Sequence, residues 1–450
     1  MPRIRSILLA LLAFWPPTAA VAGEITRVSV DSAGVEANLG SLGRPSISSD
    51  GRFVAFASDA SNLVEADTNG TTDVFVRDRE TGATSRVSVG INGVEGNALS
   101  YEPSISDDGR FVAYSSDASN LVGSDANGAR DVFVHDRLAG TTTRVSLAGG
   151  GAEANGGSLG SAISGDGRYV AFYSVASNLV AGDTNGTFDV FVHDRQTGTT
   201  TRVSVSSAGD QGNSGSFSPS ISGDGRFVAF DSLASNLVSG DTNARWDCFV
   251  HDRQAGTTWR VSVGSGGGQG DGASNEPSIS GDGWYVAFTS VASNLVGADA
   301  NGKGDVFVHD RQTGMTTRVS VDRNGVEANE VSGQPSISDD GRFIAFEAYA
   351  SNLVPGDVNG NTDVFLRDQL AGTTVRVSAV VPGDQANGPS AYPAISGDGR
   401  YVAFASTASN LVADDTNGVN DVFVACPEIF GDGFELGRVD VWSGADLAER

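Results

Sequence analysis

The sequence is poor in cysteine and, beyond its first residues, has no long apolar segment. The two cysteines, Cys248 and Cys426, belong to the fourth and seventh of the repeats described below, so we expect no disulfide between them. No later stretch approaches the ~20 apolar residues that a membrane-spanning helix needs, and we expect no membrane span. Helical periodicity is also missing between residues 23 and 450, which favours an all-β chain.

Basic residues are scarce as well. The chain has 29 Lys and Arg against 55 Asp and Glu, which gives a formal net charge of −26. Such a surface repels the phosphates of nucleic acids and anionic membranes. We therefore expect no nucleic-acid partner, while cations, basic proteins and neutral glycans remain acceptable ligands.

The first 22 residues have the pattern of a signal peptide. Arg3 and Arg5 precede an apolar run over residues 7–15, which is followed by the small-residue motif Ala20-Val21-Ala22. The run is too short to cross a bilayer. We expect cleavage before Gly23 and a secreted or periplasmic protein.

Nearly all of the remaining chain is a repeat of 58 residues. The segment Ala-Ser-Asn-Leu-Val occurs unchanged in seven copies, which begin at Ala60, Ala118, Ala176, Ala234, Ala292, Ala350 and Ala408. The repeats themselves begin near residues 45, 103, 161, 219, 277, 335 and 393. A repeat of this regularity predicts one closed or stacked array rather than several independent domains.

Each repeat predicts four short strands. In the first repeat these are residues 46–48, 52–56, 73–76 and 86–89, with an Asp-Gly turn after the first strand. The second and third strands are apolar at consecutive positions, so both of their faces should be covered. The fourth alternates, with Val87 and Val89 on one side and Arg86 and Ser88 on the other, as expected for an outer strand. This order is that of a propeller blade.

The ends of the chain indicate how the ring closes. The seventh repeat has no fourth strand, whereas residues 24–30 match the fourth-strand sequence of the first repeat. We expect the N-terminal strand to complete the last blade, which removes the two sheet edges that an open array would leave exposed. The predicted fold is an all-β, seven-bladed propeller of four-stranded blades over residues 23–425. Residues 426–450 form a non-repeat tail.

The repeat motif resembles that of a known family. Ser-x-Asp-Gly-Arg-Phe-Val-Ala-Phe, beginning at Ser48, followed by Asp-Val-Phe-Val-x-Asp at Asp73 and by Thr81-Gly82, is similar to the propeller repeat of TolB-like (PD40, WD40-like) proteins. The similarity extends over residues 24–425 and implies a propeller fold without implying an activity. The chain differs from TolB itself in having seven repeats rather than six blades and no separate N-terminal domain.

The loop between the second and third strands is the candidate metal site. Calcium is bound by carboxylate, amide and backbone oxygens, and each loop places Asp, Asn and Asp at its first, third and seventh positions. The candidate ligands are Asp67, Asn69 and Asp73; Asp125, Asn127 and Asp131; Asp183, Asn185 and Asp189; Asp299, Asn301 and Asp305; Asp357, Asn359 and Asp363; and Asp415, Asn417 and Asp421. In the fourth repeat Ala244 replaces the loop glycine, which weakens the site there.

A purely structural interpretation of these loops stays open. Asp-x-Asn-Gly is also a turn sequence, in which the aspartates bond to loop amides. The bidentate glutamate at position twelve of known calcium loops is absent here. Calcium is thus the candidate cofactor, with a structural role because seven copies exceed what one catalytic centre needs.

Three further features have less weight. His135, His193, His251 and His309 occupy one repeat position, so they should lie a blade apart and cannot share one metal. Residues 156–160 match G-x-S-x-G, but they lie in a loop without the strand-to-helix elbow of a hydrolase nucleophile. Trp246 stands in an acidic loop where other repeats have smaller residues or arginine, and aromatic rings anchor sugars and proteins. We therefore take Trp246 as a candidate ligand contact.

The sequence favours an exported, non-catalytic binding or scaffold propeller. Its working face should carry the Asp-x-Asn-Gly loops and the connections between blades, because both sets of loops emerge at the same end. We expect a monomer with a protein or glycan ligand. The alternative is a polysaccharide-active lyase or hydrolase on the same fold, although no cluster of His, Glu or Asp is confined to one or two blades.

Overall fold

The computed structural model describes residues 23–297, 299–380 and 384–427. These residues form seven four-stranded antiparallel sheets and one two-stranded hairpin. The predicted signal peptide (residues 1–22) and most of the predicted tail (residues 428–450) lie outside the described residues. Among the described residues no helix has the length and apolarity needed to cross a bilayer.

The strands follow one another in the same order in every blade. In chain order they are β1 (Ile25–Arg27), β2 (Ser41–Ile47), β3 (Phe53–Ser58), β4 (Asp73–Asp78), β5 (Ala83–Arg86), β6 (Ser100–Ile105), β7 (Phe111–Ser116), β8 (Asp131–Asp136), β9 (Thr141–Arg144), β10 (Ser158–Ile163), β11 (Tyr169–Ser174), β12 (Asp189–Asp194), β13 (Thr199–Arg202), β14 (Ser216–Ile221), β15 (Phe227–Ser232), β16 (Asp247–Asp252), β17 (Thr257–Arg260), β18 (Ser274–Ile279), β19 (Tyr285–Ser290), β20 (Asp305–Asp310), β21 (Met315–Arg318), β22 (Ser332–Ile337), β23 (Phe343–Ala348), β24 (Asp363–Asp368), β25 (Thr373–Arg376), β26 (Ala379–Val380), β27 (Asp384–Gln385), β28 (Ser390–Ile395), β29 (Val402–Ser406) and β30 (Asp421–Ala425). A single 3-10 turn, Ile91–Gly93, lies between β5 and β6.

The seven sheets are the blades, numbered here in the order of the repeats. Blades 1 to 6 are β2–β5, β6–β9, β10–β13, β14–β17, β18–β21 and β22–β25. Blade 7 is β28–β30 completed by β1, which pairs antiparallel with β30 through Ile25 and Ala425. The predicted closure by the N-terminal strand is confirmed.

The hydrophobic core lies between neighbouring blades. Strands β3 and β4 of blade 1 bury both faces, and their central rings, Phe56 and Phe75, stack at 5.9 Å. One buried cluster joins Val76 and Val87 of blade 1 to Tyr114 of blade 2. Burial of each such large side chain contributes about 1.5–3 kcal/mol. The consecutive apolar residues of the second and third strands are thus required because each face meets another blade.

Two predicted strand boundaries were wrong. The first strand of blade 1 begins at Ser41, five residues before the predicted position, and contains a bulge between Leu42 and Ser46. The fourth strand is β5, which ends at Arg86 where residues 86–89 were predicted. The alternation of valines misled the prediction because Val87 is buried between blades although it lies beyond the strand ladder.

The strand register places the two sets of long loops at one end of the ring. Ser41, Ser58 and Asp73 are aligned across β2, β3 and β4. The loop over residues 59–72 and the connection over residues 87–99 therefore emerge together, as predicted. We call this end the loop-bearing end.

The loops are attached to the blades as the sequence suggested. The Leu63 side chain is buried, and the Asn62 side chain bonds to the Glu36 carbonyl and the Asn38 amide of the preceding connection. The repeated Ser-Asn-Leu-Val segment is therefore an anchor for the loops.

Candidate ligand-binding site

The predicted metal residues surround an arginine. In blade 1 the Arg86 guanidinium lies 3.2 Å from Asp67, 3.1 Å from Asp73 and 3.0 Å from Glu95. The Arg86 side chain is only 9% exposed, where the sequence suggested an outward-facing residue. Ser88 also donates to Asp73, at 2.5 Å. A buried arginine thus neutralises part of the loop charge.

The same group, which we call the arginine–carboxylate cluster, occurs in every blade. Each arginine lies 3.1–3.8 Å from both aspartates of its loop. From blade 2 to blade 7 the groups are Arg144 with Asp125 and Asp131, Arg202 with Asp183 and Asp189, Arg260 with Asp241 and Asp247, Arg318 with Asp299 and Asp305, Arg376 with Asp357 and Asp363, and Arg27 with Asp415 and Asp421.

The loop asparagines act as hydrogen-bonding residues in this arrangement. The Asn69 amide group donates to Asp73 at 2.8 Å and to the Gly96 carbonyl at 2.9 Å. Its oxygen accepts the Thr71 backbone N–H at 3.0 Å. Asn127, Asn185, Asn301, Asn359 and Asn417 make the same bond to the last aspartate of their loops. These contacts are the ones expected if the Asp-x-Asn-Gly loops are structural turns.

Two of the clusters could hold a metal. The carboxylates of Asp125, Asp131 and Glu153 lie within 4.8 Å of one another, as do those of Asp299, Asp305 and Glu327. Each of these clusters keeps a negative charge after its single arginine is counted, and burial raises the pKa of Asp125 to about 6. Calcium at these loops stays a prediction.

Sequence reasoning missed two members of the cluster. The arginine recurs at the end of each outer strand. A Glu or Gln recurs in each connection, at Glu36, Glu95, Glu153, Gln211, Gln269, Glu327 and Gln385. Their recurrence every 58 or 59 residues was visible, but their contact with the loop depends on the fold.

The four histidines do not meet. The Nδ1 atom of each bonds to a threonine hydroxyl on the neighbouring strand of its own blade, at 2.8–3.0 Å. Burial lowers the pKa of His251 to about 4. Arg77 and Arg367 replace histidine in blades 1 and 6 and bond to Thr84 and Thr374 in the same way. The histidines are thus repeat features of the fold.

One set of residues that differ between repeats lies around the central channel. Every inner strand begins with serine and ends with isoleucine, while the residues before the proline position change from blade to blade. We call the residues at this variable position the channel ring: Arg44, Glu102, Gly160, Ser218, Glu276, Gln334 and Tyr392.

The channel ring lies at a β-bulge. The register shifts there in each inner strand, for example between Tyr101 and Ser104. Glu102, Ser218 and Glu276 have φ angles of 54°, 50° and 56°, and a left-handed backbone costs a non-glycine residue about 1–3 kcal/mol. Bulges redirect single side chains and are frequent next to active sites. The bulge therefore lies at the one repeat position whose residue changes from blade to blade and lines the channel in six of the seven blades.

The channel is large enough for a ligand. Its cavity of about 880 Å³ is lined by inner-strand residues of all seven blades and extends to Thr72 and Leu99 at the loop-bearing end. Six channel-ring residues line it, and Tyr392 adjoins Arg44. Ligand sites commonly occupy ~300–1,000 Å³.

A group of aromatic rings in blades 3 and 4 lies next to Gly160, which lines the channel. Tyr173 lies 5.5 Å from Phe188 and 5.3 Å from Phe217, and Phe217 lies 5.6 Å from Trp246 (all between ring centroids). All four side chains are half-buried. Trp246 is thus part of a group of rings next to the channel, and its role as a ligand contact stays a prediction.

The opposite side of the channel is polar. Arg44 of blade 1 donates to Gln334 of blade 6 at 2.8 Å, past blade 7. Gln334 donates in turn to Glu276, which also accepts a hydrogen bond from Thr289 at 3.1 Å. Arg44 is accessible to water in the channel yet enclosed by protein, and this burial lowers its pKa.

The far end of the channel is held by a ring of backbone hydrogen bonds between successive turns. Their donor and acceptor residues are Ser49 to Asp107, Asp107 to Gly165, Gly165 to Gly223, Gly223 to Gly281, Asp282 to Asp339, Asp339 to Gly397 and Asp398 to Ser49. Asp107 fills the space beside Gly165, where a Cβ would lie 2.0 Å from its carboxylate. This end is thus narrow and rigid.

A second repeat-breaking feature lies away from the channel. Trp284 replaces the arginine that blades 1, 2, 3, 4 and 6 pair with the last aspartate of the third strand. Trp259 replaces a small outer-strand residue. The Arg311 guanidinium lies 5.2 Å from the Trp259 ring and 6.0 Å from the Trp284 ring. Both tryptophans are 44% exposed.

Comparison with known proteins identifies the fold. No family model and no curated protein sequence matches this chain. An oligogalacturonate lyase from Vibrio parahaemolyticus is 12% identical over 90% of this chain and 98% of its own, with a TM-score of 0.53. The β-propeller domain of the Trilobed protease from Pyrococcus furiosus is 10% identical over 82% and 89%, with a TM-score of 0.50. A putative TolB from Agrobacterium tumefaciens is 16% identical over 76% and 93%, with a TM-score of 0.41.

The chain is a seven-bladed β-propeller. The first two solved structures share this fold, and at such identities they assign no activity to the chain. The propeller that the TolB-like resemblance implied is therefore confirmed.

Proposed function

We propose that this propeller is an exported, non-catalytic binding module that takes a protein or glycan ligand at the loop-bearing end of its central channel. The observation that carries this proposal is the position of the variable residues. In a chain of near-identical repeats, six of the seven residues at one variable repeat position line a cavity of about 880 Å³. Function on repeat scaffolds commonly resides where rigid elements present varied side chains.

The arginine–carboxylate clusters have a different role in this proposal. They are repeated in every blade and bonded internally, so they hold the long loops in place instead of choosing a ligand. Calcium would stabilise the loops further at the clusters that have a third carboxylate, such as the cluster of Asp125, Asp131 and Glu153. The cation would be structural.

The remaining parts of the proposal concern the ends of the chain and its state. Residues 1–22 would direct export to the periplasm or the exterior, residues 23–425 would form the propeller, and residues 426–450 would be a separate tail. The protein would act as a monomer, because blade 7 is completed by the chain's own β1 and closure of the ring needs no strand from a second copy.

The proposal is tested by blocking the channel. We would screen the purified protein against immobilised glycans and peptides, together with Ser218→Tyr and Leu138→Tyr variants. Ser218 lines the channel, and Tyr392 occupies its place in blade 7, so the bulge accepts tyrosine. Leu138 is 79% exposed in a turn at the other end. We expect Ser218→Tyr to abolish binding and Leu138→Tyr to retain it; binding that survives Ser218→Tyr would overturn the channel site.

The enzymatic alternative is addressed in the same samples. New reducing or unsaturated ends in the glycans after incubation would indicate a lyase or hydrolase. We expect none, because the described histidines each bond to threonine within their own blades.

A further inference from the structure

We propose that the channel recognises a positively charged group of its ligand, a primary ammonium or a guanidinium, which Glu102 binds beside the ring of Tyr173. This inference rests on the proposed function, since it names the ligand chemistry of the same cavity. It is carried by the geometry of Glu102, by the space next to it, and by the partners of the neighbouring basic residues.

Glu102 is a channel-ring carboxylate with unused hydrogen-bonding capacity. One oxygen, Oε2, accepts the Gly160 backbone N–H at 3.1 Å and the Ser115 hydroxyl at 3.3 Å. Among the described residues, no donor bonds to Oε1. Glu102 is exposed to the water of the channel, while the surrounding walls remove enough bulk water to raise its pKa. A cation bound at Oε1 would offset that loss of hydration.

The space beside Glu102 is occupied by an aromatic ring rather than by a side chain of the channel ring. Gly160 follows Glu102 around the channel and has no side chain. A Cβ at Gly160 would lie 2.2 Å from Cε1 of Tyr173, so the Tyr173 ring lies directly against this backbone. Burial and the charge of Glu102 both raise the pKa of Tyr173. The carboxylate and the ring are therefore neighbours.

Nearby basic residues are bonded to other groups. Arg130 makes two hydrogen bonds to Asp117, at 2.9 and 3.0 Å, and its guanidinium stacks 4.5 Å from the Tyr101 ring centre. Arg44 lies on the polar side of the channel, where it bonds to Gln334. No hydrogen bond or ion pair of the described residues joins either arginine to Glu102. The carboxylate therefore lacks a cationic partner within the chain.

A carboxylate next to an aromatic ring selects cations. Ammonium and guanidinium groups make charge-assisted hydrogen bonds to carboxylates and are attracted to aromatic ring faces. The net charge of −26 draws cations toward the molecule and repels anions. Anionic sugars such as uronates would meet Glu102 and Glu276 in the channel and are disfavoured.

The cation has two sources, a Lys or Arg side chain of a peptide or a free polyamine. Both share the same charged group, so the test includes both. The probes are a capped Gly-Lys-Gly peptide, a capped Gly-Arg-Gly peptide and spermidine, with capped Gly-Gln-Gly as the neutral control. Binding of each to the full chain is measured by calorimetry at two salt concentrations.

The decisive variant is Glu102→Gln, which removes the charge and keeps the shape. Gln334 occupies the equivalent bulge in blade 6 with a φ of 52°, so the fold accepts glutamine there. The matched control is Glu330→Gln, a carboxylate outside the channel whose side chain is 41% exposed and pairs with Lys303 at 2.9 Å. We expect at least one cationic probe to bind the parent chain, at least tenfold more weakly to Glu102→Gln, and within twofold to Glu330→Gln. The more tightly bound cationic probe identifies the source.

The outcomes distinguish this inference from the proposed function. Equal loss in Glu102→Gln and Glu330→Gln would overturn the inference, because it indicates non-specific attraction to the acidic surface. Absence of binding by every cationic probe would also overturn it. If a neutral ligand is blocked by Ser218→Tyr in that case, the channel site stands and only its cation preference fails.

Discussion

Ser29 donates a hydrogen bond of 2.5 Å to Asp421, and this contact joins residues 392 positions apart. The backbone N–H of Val422 donates to the same serine hydroxyl at 3.1 Å. Blade 1 contains an identical pair of bonds, in which Ser88 bonds to Asp73 and accepts from Val74. The difference is that a tight turn connects the strands in blade 1, whereas the two strands of the ring closure come from opposite ends of the chain.

The closure gives the first prediction. Ser29→Ala and Ser88→Ala should each lower the free energy of unfolding by about 1–3 kcal/mol, because each removes the hydroxyl that bonds to the Oδ1 atom of a buried aspartate. We expect the lower Tm for Ser29→Ala, since no turn holds β1 in place. Hydrogen exchange should become faster in β1 and β30 in that variant alone.

Removal of residues 1–30 extends the same test. The shortened chain should unfold at a markedly lower temperature, because it exposes the edge of β30. An unchanged Tm would contradict closure by β1.

The second prediction concerns the cation in the clusters. Arg144→Met should lower stability by about 3 kcal/mol, because it leaves the buried Asp131 beside two further carboxylates. Millimolar calcium should restore part of the Tm of this variant and change that of the parent chain little. Thermal unfolding with calcium and with chelator measures both effects.

Blade 3 supplies the control for the calcium experiment. There Gln211 replaces the glutamate and donates to Asp183 and Asp189, each at 2.9 Å. We expect Arg202→Met to lower the Tm less than Arg144→Met does, and we expect calcium to leave the Tm of Arg202→Met unchanged. An equal calcium response in both variants would show that the third carboxylate does not matter.

A third prediction separates backbone strain from contact between blades. Gly109 and Gly140 have φ angles of 70° and 65°, so alanine at either position costs about 1–2 kcal/mol. A Cβ on Gly109 would also lie 2.0 Å from the Phe53 ring of blade 1, whereas Gly140 has open space. Gly109→Ala should therefore destabilise the ring clearly more than Gly140→Ala in urea unfolding. Equal losses of stability in the two variants would mean that the Phe53 ring can move away from a Cβ at position 109 without a cost in free energy.

The fourth prediction is a pH dependence. Burial lowers the pKa of His251 to about 4, below the usual ~6.5 of an unfolded histidine. His251 is therefore protonated at a lower pH in the native state than in the unfolded state. Stability should fall as the pH decreases from about 6.5 to about 4, by up to ~3 kcal/mol for this residue.

The chain itself suggests the variant for this experiment. Arg367 occupies the equivalent position in blade 6 and bonds to Thr374. His251→Arg should therefore fold, and its Tm should decline less steeply over this pH range. A decline as steep as that of the parent chain would assign the acid sensitivity to other groups.

The fold was predictable because its information is local and repeated. Turn residues and apolar runs return every 58 residues, and the match between residues 24–30 and the fourth strand revealed the closure. The cluster was harder to predict because Arg86 meets Asp67, Asp73 and Glu95 only after the loop and the next connection have folded. A strand pattern alone placed Arg86 toward solvent, and the low exposure of its side chain, 9%, results from those long-range partners.

The channel was missed for a different reason. The sequence reasoning concentrated on residues that stay the same between repeats and on single tryptophans. The channel ring is defined by residues that differ between repeats, such as Glu102, Gly160 and Ser218. It also depends on a β-bulge that no local sequence pattern predicted. Listing the repeat positions that vary would have found this ring, but not that it faces a cavity.

The bulge in each inner strand also bears on how such a protein can acquire new specificities. Six of the seven channel-ring residues line one cavity, while the apolar clusters between the blades are built from other positions. Replacing one of the seven channel-ring residues changes one chemical group of the binding surface and leaves the blades unchanged. Related chains with the same blades and other residues at these places are expected to bind other ligands.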